Sequence, residues 1–137
     1  AIRDALDGGS LVGLLGDRML TADGSAGAAS AATARTNSVD IPFLGLPARF
    51  SDGPLRLAML LKRRVIFMVG LYLGGKRYDV RFQTMADFTA PPADPAERER
   101  MIQQALRDYV SRLEALCREA PYNWFNFYDY WREDLVH

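Results

Sequence analysis

The chain has 137 residues, 49% hydrophobic and 25% charged, and these proportions are typical of one globular domain with a real core. Basic and acidic side chains both number 17, so the overall charge favours neither nucleic acid nor an acidic partner. One cysteine (Cys117) and one histidine (His137) exclude an internal disulfide, a thiolate metal cluster and a histidine-rich metal site, and no apolar run is long enough to span a membrane.

The N-terminal region predicts a helix end followed by a buried strand. Residues 1–8 carry apolar side chains four apart and stop at two glycines, which is typical of a helix end. Because the chain starts within such a pattern, at Ala1 rather than Met, we expect a fragment of a longer protein. Residues 10–16 predict a strand that ends at Asp17 and Arg18. Charged residues at the carboxyl end of a parallel strand lie where open α/β sheets bind ligands; a solvated strand end is the alternative.

Residues 21–38 consist mostly of alanine, serine, threonine and glycine. Such a segment has too little apolar surface to order itself, so it predicts a mobile loop. The chain as a whole then predicts a single α/β domain over residues 1–137, with this loop inside it.

The central stretch, residues 40–73, predicts strand, turn, helix and strand. The strands cover 41–50 and 65–73, and the helix covers 54–63. A short helix between two strands implies that the strands pair in parallel. The last strand is a continuous apolar run, which is typical of a strand buried on both faces of a sheet. The fold class is therefore part of a mixed, mostly parallel sheet flanked by helices.

The turn before the central helix is a candidate anion site. Asp52 is a suitable helix N-cap, Gly53 permits close approach of a ligand, and Pro54 fits the first helical turn. The N–H groups and the dipole of a helix N-terminus favour an anion. An ordinary capped turn is the alternative interpretation.

Two further elements follow. Two glycines at 74–75 predict a hairpin into an alternating, half-exposed strand over 78–84. Residues 95–119 predict the clearest helix, with an N-cap, a first-turn proline and one apolar stripe. Seven of the ten residues at positions 122–131 are aromatic, which predicts that this C-terminal segment packs on the core as a plug. The alternative is that it forms one wall of a binding site for an apolar ligand.

Four stretches carry a resemblance to a known family: LVGLLGDR, IPFLGLPARFSDGPLRLA, VIFMVGLYLGGKRY and PYNWFNFYDYW. In this order the chain resembles the C-terminal half of the bacterial lipid A biosynthesis acyltransferase family, within the lysophospholipid acyltransferase superfamily. The FSDGP segment lies where the superfamily has an acceptor-binding motif of the Phe-Pro-Glu-Gly-Thr type. Phe50 and Gly53 match that motif, whereas Ser51, Asp52 and Pro54 depart from it.

The resemblance implies a parent acyltransferase without a metal or cofactor. Such an enzyme moves a fatty acyl chain from an acyl carrier protein or coenzyme A thioester to a hydroxyl of a lipid or glycolipid acceptor, at the cytoplasmic face of the bacterial inner membrane. The family's catalytic motif is a histidine, four residues, then aspartate or glutamate, and the histidine acts as general base. Because the one histidine is His137, no catalytic residue lies in this chain and we expect it to be inactive alone. A non-catalytic binding or assembly domain is the alternative.

The same interpretation selects residues for the rim of an active-site cleft. In this role Arg18 and Arg56 would pair with a phosphopantetheine or acceptor phosphate, and Asp17 would hold an arginine or an acceptor hydroxyl. Asp17 and Arg18 pairing only with each other is the alternative. Arg18 also departs from the family, which usually has glutamine there. The candidate substrate-binding residues are Asp17, Arg18, Arg49, Asp52, Gly53 and Arg56.

As a fragment with open strand edges, the chain is expected to form a dimer or larger species.

Overall fold

Two separate antiparallel hairpins and one long helix dominate the part of the chain that the computed structural model describes, residues 1–14 and 38–124. Each sheet has two strands, β1 with β2 and β3 with β4. The predicted mixed, mostly parallel sheet flanked by helices is therefore wrong. In chain order the elements are α1 (Ile2–Asp7), β1 (Ser38–Phe43), β2 (Leu46–Ser51), α2 (Gly53–Leu60), β3 (Arg64–Gly74), β4 (Arg77–Asp87), α3 (Pro95–Glu119) and a 3-10 turn (Pro121–Asn123).

The first hairpin explains why the parallel pairing fails. The predicted strand over 41–50 is two strands, because Leu44 and Gly45 both adopt positive φ angles, 52° and 88°. Two successive residues with positive φ make the kind of two-residue turn that matches the twist of antiparallel strands. The chain folds back at once, so β1 pairs with β2 from Phe43↔Leu46 outwards, and among the described strands β3 has no parallel partner.

The second hairpin confirms the predicted turn but corrects the environment of β3. Gly74 and Gly75 have φ angles of 95° and 59°, and β3 pairs with β4 along its whole length. The prediction that the apolar run of β3 is buried on both faces is wrong. Ile66 and Met68 are 53% and 64% exposed, because α3 packs on one side of this ribbon and no described element covers the other.

The uncovered side of this ribbon is mostly apolar and carries no charged side chain. Cross-strand partners Met68 and Phe82 lie on it, as do Tyr72 and Tyr78, whose rings are 5.3 Å apart. We call this surface the exposed ladder face. Its eight positions are Ile66, Met68, Gly70 and Tyr72 on β3, with Tyr78, Val80, Phe82 and Thr84 on β4.

The core lies between the first hairpin, α2 and α3. Phe43 and Phe50 are completely or almost completely buried, and their rings meet edge to face with centroids 5.6 Å apart. Helix α3 confirms the predicted helix over 95–119, including its cap, since the Asp94 carboxylate accepts a hydrogen bond from the Ala96 N–H at 3.1 Å. One stripe of α3 enters the core through Ile102, Ala105, Leu106, Val110 and Cys117.

The N-terminal predictions are only partly within the described residues. Helix α1 confirms the predicted helix end, and its Asp7 accepts a hydrogen bond from Arg63 after α2. Residues 10–14 form no strand, and Leu11 is 94% exposed, so the described part of the predicted strand over 10–16 is wrong. Asp17, Arg18 and the predicted loop up to residue 37 lie outside the described residues.

The C-terminal aromatic segment is described only as far as Trp124. That ring meets Phe43 edge to face at 5.3 Å, so the described end of the segment packs on the core as the predicted plug would. Residues 125–131 lie outside the described residues. Within residues 1–14 and 38–124, no helix combines the length and the apolarity needed to cross a membrane.

Candidate functional site

The turn between β2 and α2 brings three predicted site residues together. Gly53 begins α2, one residue before the predicted start at 54, and its N–H donates to the Ser51 hydroxyl at 3.2 Å. Pro54 has no N–H, and the Arg56 N–H donates to the Asp52 carbonyl at 3.0 Å. At these three positions the helix start therefore presents no free N–H to an anion.

Arg56 connects this turn to α3. Its Nε and Nη2 lie 2.9 and 2.8 Å from Oδ2 of Asp52. Its Nη1 and Nη2 donate to the two carboxylate oxygens of Glu99 at 2.8 and 2.7 Å, a bidentate pair. We call Asp52, Arg56 and Glu99 the Arg56 cluster. One guanidinium thus bridges two carboxylates that lie 47 positions apart in the sequence (99 − 52) and joins α2 to α3.

The hydrogen bonds between Arg56 and Glu99 favour the ionised form of both side chains. Hydrogen bonds to Glu99 and then to Asp52 raise the pKa of Arg56 above its ordinary value. The hydrogen bonds from Arg56 hold the pKa of Glu99 below its ordinary value, and the Gln103 amide, 3.2 Å away, acts in the same direction. The arginine is a permanent cation already paired with two anions, so an incoming phosphate has to displace Glu99 to reach it.

Asp52 is the most unusual member of the cluster. Its side chain is completely buried, and an ionised carboxylate is costly to bury unless it is paired and hydrogen-bonded. Oδ2 meets that requirement through Arg56. Oδ1 has no hydrogen-bond partner among the residues that the structure describes, so it retains an acceptor site beside the start of α2.

A cleft of about 740 Å³ lies beside the cluster, between the end of β4 and the first half of α3. Glu99 lies on its lining, which places the cleft next to the guanidinium of Arg56. The lining combines apolar side chains with two arginines and three carboxylates, so this cleft suits a ligand with an apolar part and a polar part. The lining residues are Met85, Ala86, Asp87, Phe88, Glu99, Arg100, Met101, Gln103, Gln104, Ala105, Arg107 and Asp108.

The remaining predicted site residues lie apart from the cluster or outside the described part. Arg49 is a cross-strand partner of Asp40, and its Nε lies 3.3 Å from that carboxylate on the outward face of the first hairpin. Its neighbours Ala48 and Phe50 are buried on the opposite face. Asp17 and Arg18 lie outside the described residues, so their predicted role stays a prediction.

Sequence reasoning missed Glu99. The residue lies in the N-terminal part of α3, where acidic side chains commonly complement the helix dipole, and that explanation needs no partner. Only the packing of α3 against α2 places it opposite Arg56. Among residues 1–14 and 38–124, no group of three or more metal-ligating side chains is arranged to hold a metal ion.

The chain was also compared with known proteins. No family model, curated protein or solved structure matches it. The function proposed below therefore rests on the chain's own residues and on the resemblance of its four sequence stretches.

Proposed function

We propose that this chain is part of an acyltransferase that moves a fatty acyl chain from an acyl carrier protein or coenzyme A thioester to a hydroxyl of a lipid or glycolipid acceptor. The observation that carries the proposal is the junction at Phe50–Arg56. There a strand runs through a buried aspartate into a helix that Gly53 begins. In the family that the chain resembles, an acceptor-binding motif occupies this stretch, with Phe50 and Gly53 in common.

In this proposal the Arg56 cluster fixes the turn and does not itself bind the anion. Arg56 holds Asp52 and Glu99 through four contacts of 2.7–2.9 Å, so these contacts fix the turn between β2 and α2 against α3. A fixed turn keeps a substrate-binding segment in one geometry, which lowers the entropy cost of orienting an acceptor.

The neighbouring cleft also supports the proposal, because its lining offers both apolar and charged side chains. Met85 and Met101, both half-buried, contribute apolar surface, which suits the methylene groups of an acyl chain. Arg100 and Arg107 are exposed and would pair with the phosphate of a carrier or an acceptor. The general base comes from outside this chain, because His137 is its only histidine.

The test is an acyl-transfer assay on the complete gene product, with acyl carrier protein and coenzyme A thioesters as donors and a panel of lipid and glycolipid acceptors. We expect transfer by the complete protein and none by the 137-residue chain. Arg18→Ala should lower turnover at least about tenfold without moving the thermal midpoint. Absence of transfer with every donor and acceptor would overturn the proposal.

A second candidate is a non-catalytic binding or assembly domain. The exposed ladder face favours it, since a contiguous apolar surface of this kind marks an interaction site. The upstream reading frame discriminates between the two candidates. A histidine, four residues, then aspartate or glutamate favours the enzyme, and the absence of that motif favours the binding domain.

A further inference from the structure

The exposed ladder face is an interaction surface with no charged side chain. Its six large apolar side chains are 48–67% exposed, although residues of these types are usually the ones removed from water. Acidic and basic side chains lie on the opposite side of the same strands, where Arg81 bridges Asp79 and Glu119. A surface that has no charged side chain over eight positions complements another copy of itself, because no like charges have to approach.

The area of this face is close to what one partner contributes to a stable dimer. Aromatic side chains bury about 150–250 Å² each when they are covered, so three aromatic and three aliphatic side chains at these exposures offer on the order of 700 Å². A stable interface takes roughly 800 Å² from each partner. The face therefore accounts for most of one partner's share without any contribution from other surfaces.

The shape of the face also favours a self-complementary pairing. Gly70 lies at its centre, with Met68 and Tyr72 on either side along β3 and Val80 opposite on β4. A Cβ placed at Gly70 would meet nothing within 4 Å, so the glycine leaves a notch in the apolar surface. With a two-fold axis along the strands, β3 of one copy faces β4 of the other, and Val80 of each copy lies over the notch of its partner.

Pairing through the edges of the ribbon is less favourable than pairing through the face. The Asn123 amide accepts from the Tyr72 N–H at 2.6 Å and donates to the Tyr72 carbonyl at 3.3 Å, as a neighbouring strand would. On β4, Arg112 donates to the Thr84 carbonyl at 3.3 Å. Backbone groups on both strands are thus already bonded to side chains, which makes the addition of another strand at these edges less favourable.

We propose that two copies of this chain form a dimer through their exposed ladder faces, with Val80 of each copy seated in the Gly70 notch of the other. The interface is face to face and not edge to edge. It requires neither catalytic activity nor a ligand, so it stands whether or not the proposed acyltransferase function is correct.

Sedimentation equilibrium on the 137-residue chain tests the dimer directly, with Phe82→Lys as the disrupting variant. A lysine ammonium at the centre of the interface should raise the dimer dissociation constant at least about thirtyfold. Ser111→Lys is the matched control, because it adds the same charge at an exposed position of α3 and should leave the constant unchanged.

Gly70→Leu gives a second variant that does not depend on burying a charge. Open space around the glycine allows the larger side chain in the monomer, so the thermal midpoint should be kept, while the filled notch excludes Val80 and weakens the dimer. A dimer unaffected by both Phe82→Lys and Gly70→Leu would overturn the proposal.

A wild-type chain that stays monomeric up to about 100 μM would also overturn the proposal. If that monomer lost thermal stability with Phe82→Lys, the face would be covered by another segment of the same chain. If instead it sedimented with phospholipid vesicles, the face would belong to a lipid surface.

Discussion

At the scale of single residues, the buried charge of Asp52 is the feature with the largest consequence. A carboxylate removed from water is tolerated here because the Arg56 guanidinium contacts it at 2.8–2.9 Å. The Asp40–Arg49 pair has the same chemistry on the surface, where solvent and salt screen it. A comparison of the two pairs therefore separates the effect of burial on stability from the effect of charge pairing.

Asp52→Ala is expected to lower the free energy of unfolding by about 1–3 kcal/mol, because Arg56 loses a buried acceptor and a small cavity forms. Asp40→Ala is the matched control and should change the same free energy by less than about 1 kcal/mol. Urea titration of both variants measures the difference. Equal losses would show that the burial of Asp52 has no energetic role.

The stability of the chain should depend on pH through Glu99. Arg56 lowers the pKa of this carboxyl in the folded state from the ordinary value of 4.5, so the folded state favours the ionised form. The resulting stabilisation is present above pH 4.5 and is lost as the pH falls through the lower, folded pKa. Urea midpoints between pH 7 and pH 3 should fall more steeply for the wild type than for Glu99→Gln. Parallel curves would contradict the assignment.

At the scale of elements, the two hairpins are determined by their turns. In both turns two successive residues adopt positive φ, which L-residues other than glycine and asparagine rarely do. The second turn has two glycines and is visible in the sequence. The first turn has leucine and glycine within an apolar stretch. The positive φ of Leu44 costs free energy, and the packing of its side chain against the core offsets that cost.

Gly45→Ala discriminates between the hairpin and the predicted single strand over 41–50. In the hairpin, φ is 88°, so an added Cβ should cost about 1–2 kcal/mol of unfolding free energy. In a continuous strand the same substitution would be neutral or slightly stabilising. The control is Gly13→Ala, because the site of Gly13 is open and its φ is not positive, so the substitution should not lower the unfolding free energy. Thermal or urea unfolding of both variants measures the outcome.

At the scale of the whole molecule, α3 holds the described elements together. Its apolar stripe packs on the first hairpin and α2, and its polar flank reaches both α2 through Glu99 and the second hairpin through Glu119. On the β3–β4 side, Phe67 and Tyr109 meet edge to face at 5.8 Å. The long helix is therefore the element whose packing decides whether both hairpins stay in place.

Leu106→Ala tests this role of α3. The side chain is 2% exposed, so its truncation should lower the free energy of unfolding by about 2–5 kcal/mol. Leu60→Ala is the matched control, since Leu60 is 68% exposed and its truncation should cost less than about 0.5 kcal/mol. Urea midpoints followed by circular dichroism report both. A small effect at Leu106 would mean that α3 does not carry the core.

The sequence alone determined the elements whose signals are local. Asp94, Pro95 and the apolar stripe specified α3 to within a residue, and Gly53 marked the start of α2. These signals act within one or two turns of the chain, through caps, backbone angles and helical periodicity, so no partner is needed to interpret them.

Only the tertiary structure decided which strands pair and which charges meet. An apolar run such as that of β3 suits both a central parallel strand and a ribbon with one face uncovered, because strand propensity does not specify the partner. Glu99 contacts Arg56 because α3 packs across α2, and no local sequence pattern encodes a contact between residues so far apart in the chain. Strand pairing and long-range contacts depend on how the whole chain packs together. For this reason the sequence predicted three residues of the described site, Asp52, Gly53 and Arg56, whereas only the packing placed Glu99 there.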